Sequence, residues 1–217
     1  MPTSQAAALV TNGFRAQLLQ LRDTTGLAVA GLLDSIDLDL PPSALATALS
    51  SWVRRAQTLV GASQEQGAVM ALQYLLAYLQ TSGVDPAIED VQPLVPRADP
   101  LTVVQGALFY RLGQSSGRAA AVTSAAAVAQ RVARSAVQSA ATSTLGLGID
   151  RSPTVSGWRR ATSSSCCARC AAAAAKGVHE AGENFRAVHP ADRCTQEPVV
   201  AGITERVLRA APQVVSP

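Results

Sequence analysis

Cys167, Cys170, His189 and Cys194 stand in the order Cys-x2-Cys, eighteen residues, then His-x4-Cys. Thiolate and imidazole are the ligands of a structural zinc, and a Cys-x2-Cys pair delivers two of them from one tight turn. All four cysteines and both histidines fall between Cys166 and Cys194. That confinement points to one local site, not to a cross-linked framework spread over a fold. The expected cofactor is therefore one Zn2+ held by Cys167, Cys170, His189 and Cys194. The fourth ligand has more than one candidate. Asp192, three residues after His189, is an alternative to Cys194, and His179 is another. Cys166 adjoins Cys167 and is surplus to a four-ligand set.

The same thiols admit two other readings: reduced structural cysteines, or a redox or disulfide pair. Residues 1–13 lack the basic segment of a secretion signal, so reduced thiols are the expectation. Other chemistries find little support. His179-Glu180 begins like the His-Glu-x-x-His helix of a metalloprotease, but Glu183 stands where the second histidine is needed. Asp34, Asp37 and Asp39 alternate as in a calcium loop, without the glycine and closing glutamate that complete one. A solvated connector is the expectation there. No glycine-rich phosphate loop follows a strand, and no sequence context singles out a nucleophilic serine. The chain reads as non-enzymatic, with no small-molecule substrate and no catalytic residues.

The elements that must position these ligands follow from composition. Hydrophobic residues make up 48% of the 217, but aromatics only 4%, and alanine dominates. Such a chain favours helices packed closely on small side chains over a thick β-sandwich. A helix is expected from about Ser4 to Asp34, with Gly13, Gly26 and Gly31 favouring a break into two. A second helix runs from Ser43, as N-cap, to Val60, with Leu45, Leu49, Trp52, Val53 and Ala56 on one face. A third covers about Ser63 to Thr81, capped by Gly83. Pro86, Pro93, Pro96 and Pro100 make residues 84–100 a hinge, with room for a short helix at 86–92. Helices at 101–113 and 117–144 follow, the latter with a buried small-residue side. Leu145 to Pro153 is the expected boundary. The uncharged stretch 66–84 is interrupted by Gln66, Gln73, Gln80 and Gly83, so it reads as a buried helix and not as a membrane span.

The fold class is thus mainly α: a helical domain over 1–149, then a small zinc-stapled α+β module over 150–217. Residues 1–149 hold nine basic and nine acidic side chains, while 150–217 hold nine and six. The whole net charge of +3 therefore belongs to the second part. Arg159, Arg160, Arg169, Arg186 and Arg193, with Arg206 and Arg209, are candidates for phosphate contact without sequence reading. Ordinary solvated surface arginines are the alternative. Sixty-odd residues with few large apolar side chains make a thin core, which a metal would reinforce.

One resemblance covers most of the chain. It is carried by Gly157-Trp158-Arg159-Arg160, the Cys167-x2-Cys170 pair, Lys176-Gly177-Val178, Phe185, His189-Pro190 through Cys194, and Pro198-Val199. This run resembles the MuF-like minor head proteins of tailed bacteriophages, in particular the actinobacteriophage branch. Phe14-Arg15-Ala16-Gln17 through Leu21-Arg22, and Trp52 to Leu79, resemble its helical elements. Where that branch has its first cysteine after the histidine, this chain has Asp192. The resemblance implies a minor capsid protein acting in head assembly. It would bind the portal or another head protein, and sit in the capsid interior or at the portal vertex, after assembly in the host cytoplasm. Contact with packaged DNA would be non-specific. Proteins of this branch are often labelled capsid maturation proteases. A protease or zinc hydrolase is therefore one alternative, and a zinc-ribbon nucleic-acid module is another.

Overall fold

A computed structural model describes residues 2–37, 39–86, 91–94, 101, 106, 117–162, 166–185 and 193–200. These are mainly helical, with one small antiparallel sheet. The elements are α1 (Pro2–Asp34), α2 (Pro42–Thr81), α3 (Arg118–Arg151), β1 (Val155–Ala161), α4 (Ala168–Ala174), β2 (Val178–Glu180) and β3 (Thr195–Val200). Leu101 and Gly106 are helical, in line with a helix there. The rest of the helix expected at 101–113 lies outside the described residues, as does most of the short one expected at 86–92. No helix among the described residues is long and apolar enough to cross a membrane.

Three expected boundaries are corrected. The first is α1, which passes through Gly13, Gly26 and Gly31 without a break. Gly26 marks a close approach: a Cβ there would come within 2.9 Å of the Arg134 side chain and 3.0 Å of the Gln130 carbonyl. The second is α2, one helix of 40 residues instead of two. Ser63 caps nothing. Its hydroxyl bonds back to the Leu59 carbonyl at 3.0 Å and accepts a hydrogen bond from Thr25 at 2.8 Å. The helix also starts earlier, with the Leu45 amide donating to the Pro41 carbonyl. The third is α3, which runs on through Gly146 and Gly148 to Arg151. At Gly148 a Cβ would lie 2.6 Å from the Leu75 side chain, so this glycine is a packing position and not a helix stop. Gly83 does cap α2, at φ +74°, with the Val84 amide donating to the Leu79 carbonyl.

The described residues form two units. One draws on Gln17–Val69 and Leu94–Ala141. Its core joins Val29, Leu33, Leu45, Leu49, Trp52, Val53, Ala56 and Val60 to Leu101, Val122, Ala125, Ala129 and Ala133. Small side chains let α3 come close: Ala129, Ala133 and Val137 are fully buried, while Val128 is exposed. Trp52 is fully buried, and its indole N–H donates to the Val29 carbonyl at 3.3 Å. Arg22 donates to the Gln138 amide oxygen at 2.8 Å. The Arg134–Asp23 ion pair at 3.0 Å is partly exposed and contributes little.

The other unit draws on Met1–Ala16, Met70–Pro93 and Thr142–Pro217. It places the sheet with segments of all three long helices, a grouping that a division at residue 150 does not follow. Phe14 stacks on Tyr74 at 4.5 Å between ring centroids, and Tyr78 meets Tyr74 edge-on. Arg15 donates to the Thr162 carbonyl at 2.7 Å. The sheet itself is met at Gln196, whose carbonyl accepts from the Tyr74 hydroxyl at 3.5 Å and whose side chain lies beside Gly146.

Candidate metal centre

Antiparallel pairing brings the cysteines together. The strand order is β2-β1-β3, and Ala161 at the end of β1 lies opposite Thr195 at the start of β3. Cys194 immediately precedes β3, so it enters the sheet where β1 leaves it. From Ala161 the chain needs only six residues to reach Cys167, the N-cap of α4. Cys170 sits within the first turn of that helix, which lies against β1. Cys167, Cys170 and Cys194 consequently sit close together. Cys170 and Cys194 are buried, Cys166 is half-buried and Cys167 is exposed; none is in a disulfide.

Three thiols at one end of a sheet are a donor set that suits a thiophilic ion. His189 and Asp192 lie outside the described residues. Among the described residues no group of three or more His, Cys, Asp or Glu side chains is disposed to hold a metal ion. Cys167, Cys170 and Cys194 therefore sit near one another without being disposed around an ion.

His179 is engaged elsewhere. It lies in β2 directly opposite Trp158, and the two rings stack at 4.1 Å. Its Nδ1 meets the Glu183 carboxylate at 2.9 Å. Trp158 donates to the Glu183 carbonyl at 3.0 Å, so the turn after β2 is tied to β1. The His179 hydrogen bond, helped by the Glu180 backbone N–H, holds the Glu183 carboxyl below its ordinary value of 4.5. A depressed carboxyl stabilises the fold at pH values above 4.5, and that contribution fades as pH falls through the lowered value. Gly157 permits this close pairing: a side chain there would collide with the His179 carbonyl oxygen.

The arginines divide. Arg159 lies opposite Glu197 and makes a two-pronged ion pair with it, at 3.1 and 2.7 Å. Arg160 is buried, with its guanidinium 4.3 Å from the centre of the Phe185 ring. Arg159 is thus paired within the sheet while its side chain stays 36% exposed, and Arg160 is held against the Phe185 ring. Arg169 and Arg193 are exposed. Arg186, Arg206 and Arg209 lie outside the described residues.

Sequence reasoning missed the partners. Glu197 is 38 residues from Arg159, and no local pattern links them. The Glu197 hydrogen bond, together with its charge, raises the Arg159 pKa above its ordinary value. Burial, reinforced by the Glu197 charge, pushes the Tyr78 hydroxyl up to about 12. Burial also raises Tyr74, whose hydroxyl lies 3.1 Å from that of Thr11.

Gln196 was likewise unforeseen. Its side chain is fully buried facing Gly146, and neither amide atom has a hydrogen-bond partner among the described residues. An unsatisfied buried amide costs about 1–3 kcal/mol, and methionine has nearly the same shape without that penalty. Gln196→Met is expected to raise unfolding stability by about 1–2 kcal/mol in a denaturant titration. Destabilisation would show that the amide is satisfied after all.

No family model, curated protein or solved structure matches this chain.

Proposed function

We propose that the chain is a minor structural protein of a tailed-phage head, similar to the MuF-like proteins its C-terminal run resembles. One observation carries the reading. Residues of that run, far apart in sequence, meet in one small unit. Trp158 lies opposite both His179 and Pro198, Gly157 lies opposite Val199, and Phe185 packs on Trp158 and Arg160. The Cys pair and Cys194 close the end of the same sheet.

In this reading Cys167, Cys170, His189 and Cys194 hold a structural zinc, with Asp192 as the alternative oxygen donor. The ion cross-links the entry of β3 to the start of α4 and supplies no reaction chemistry. The helical part, 1–149, carries the assembly contact. Its charges balance, and α1 exposes large apolar side chains such as Leu9 and Leu27. These suit a protein surface better than DNA. The exposed Arg169 and Arg193 supply non-specific phosphate contact at the capsid interior or portal vertex.

Co-expression of the full chain with the portal and major capsid proteins of the same phage tests this. The chain is expected to co-purify with portal or with assembled heads in a nuclease-resistant manner, and Leu27→Glu is expected to weaken that retention. If neither portal nor heads retain the wild-type chain, the assembly reading fails.

A further inference from the structure

We propose that Cys167 and Cys170 form an oxidation site, at which peroxide joins the two thiols as a disulfide and thereby releases the metal. The release rests on the zinc reading above; the disulfide itself does not.

Exposure and spacing select this pair. Cys167 is exposed, whereas Cys170 is 3% exposed and lies one turn further along the same segment. The Cys167 carbonyl accepts the Ala171 amide at 3.0 Å, so the turn is already closed. Residues three apart on such a turn have Cβ atoms about 5–6 Å apart. A disulfide needs Cβ atoms about 3.5–4.5 Å apart, so the turn must tighten by about 1–2 Å to join them. Cys166 and Cys167 are adjacent, and neighbouring Cα atoms about 3.8 Å apart fall short of the Cα separation of about 4.4–6.8 Å that a disulfide spans. Cys194 is buried at the entry of β3, out of direct reach of a solute.

The chemistry balances with peroxide as the oxidant. The Cys167 thiolate attacks one peroxide oxygen, breaks the O–O bond and becomes a sulfenic acid, and the departing hydroxide takes up a proton as water. The Cys170 sulfur then attacks the Cys167 sulfur. The S–O bond breaks, and a second water leaves with the Cys170 proton. Two thiols are oxidised by two electrons, and one peroxide is reduced to two waters. The remaining thiol and imidazole are too few to hold the ion in a closed site.

The test uses the full chain from zinc-replete cells, treated with hydrogen peroxide. Intact mass, mapping of alkylated peptides and free zinc are followed together. The expected result is a Cys167–Cys170 cross-link with loss of two hydrogens, and zinc release in step with it. Cys166→Ser should change neither, and Cys167→Ser should abolish the cross-link. If the wild-type chain carries no zinc yet forms the disulfide, the metal reading falls and the oxidation site stands. If zinc stays bound and both thiols remain alkylatable after peroxide, the oxidation site falls and the metal reading stands. A cross-link through Cys166 or Cys194 instead also overturns the proposal.

Discussion

On the zinc reading proposed above, Cys170→Ser is expected to abolish metal binding and unfold the sheet, while the helical core around Trp52 stays folded. Cys170 is buried, so its replacement cannot be made good from solvent. A serine hydroxyl is not a zinc ligand at neutral pH, and structural zinc in small modules contributes about 10–16 kcal/mol to folding. The sheet has little with which to offset that loss. Its large buried apolar side chains are few: Val155, Trp158, Val199 and Val200. The chain's two tryptophans report separately, because Trp52 and Trp158 belong to different units. In a Trp52→Phe background, Trp158 emission should shift to the red on Cys170→Ser. In a Trp158→Phe background, Trp52 emission should not move. Elemental analysis should fall from about one zinc per chain to none. Hydrogen exchange should rise in 155–200 and also in the helical segments of the same unit, around Arg15, Tyr74 and Gly146. Proteolysis should then cut within the sheet, at 155–200. Retention of zinc by the variant, or unfolding of the whole chain in one step, would contradict the assignment.

Trp52→Ala should produce the complementary result. Trp52 is fully buried in the core formed by α1, α2 and α3, and it also loses a hydrogen bond to the Val29 carbonyl. Large-to-small changes of this kind cost about 3–5 kcal/mol. The neighbours on α3 are mostly alanines, Ala125, Ala129 and Ala133, too short to collapse into the space left behind. A loss of that size is a large part of a typical stability of about 5–15 kcal/mol. For a chain of this length the melting temperature should fall by roughly 6–20 °C, read by helical circular dichroism. Trp52→Phe should be far milder, because most of the volume remains. A shift for Trp52→Ala equal to that of an exposed substitution such as Leu9→Ala would mean the core is not packed on this side chain.

The helices were legible because their signal is local. Apolar residues at helical spacing, alanine content and the capping role of Gly83 all act within a few residues of each other. Helix ends were less legible, since glycine carries two opposite messages. At Gly83 it supplies a positive φ and ends α2. At Gly26 and Gly148 it lets a neighbouring segment come close, and the helix runs on. Only the position of that neighbour separates the cases. The division of α2 at about Ser63 fails for a similar reason: the Ser63 hydroxyl bonds back to the Leu59 carbonyl and meets Thr25, and the helix runs on.

By itself the sequence determined the helical class, the capped end of α2, the apolar face bearing Trp52, and the clustering of sulfur and imidazole in one short region. Those depend on residue type and near-neighbour spacing. Only the tertiary structure decided that β1 and β3 pair so that Cys194 joins Cys167 and Cys170, and that His179 stacks on Trp158. It also paired Arg159 with Glu197, buried Arg160 against Phe185, and grouped segments of all three long helices with the sheet. Strand pairing joins residues about 20 to 45 positions apart, and the choice among such pairings rests on how whole faces fit, which no local pattern records.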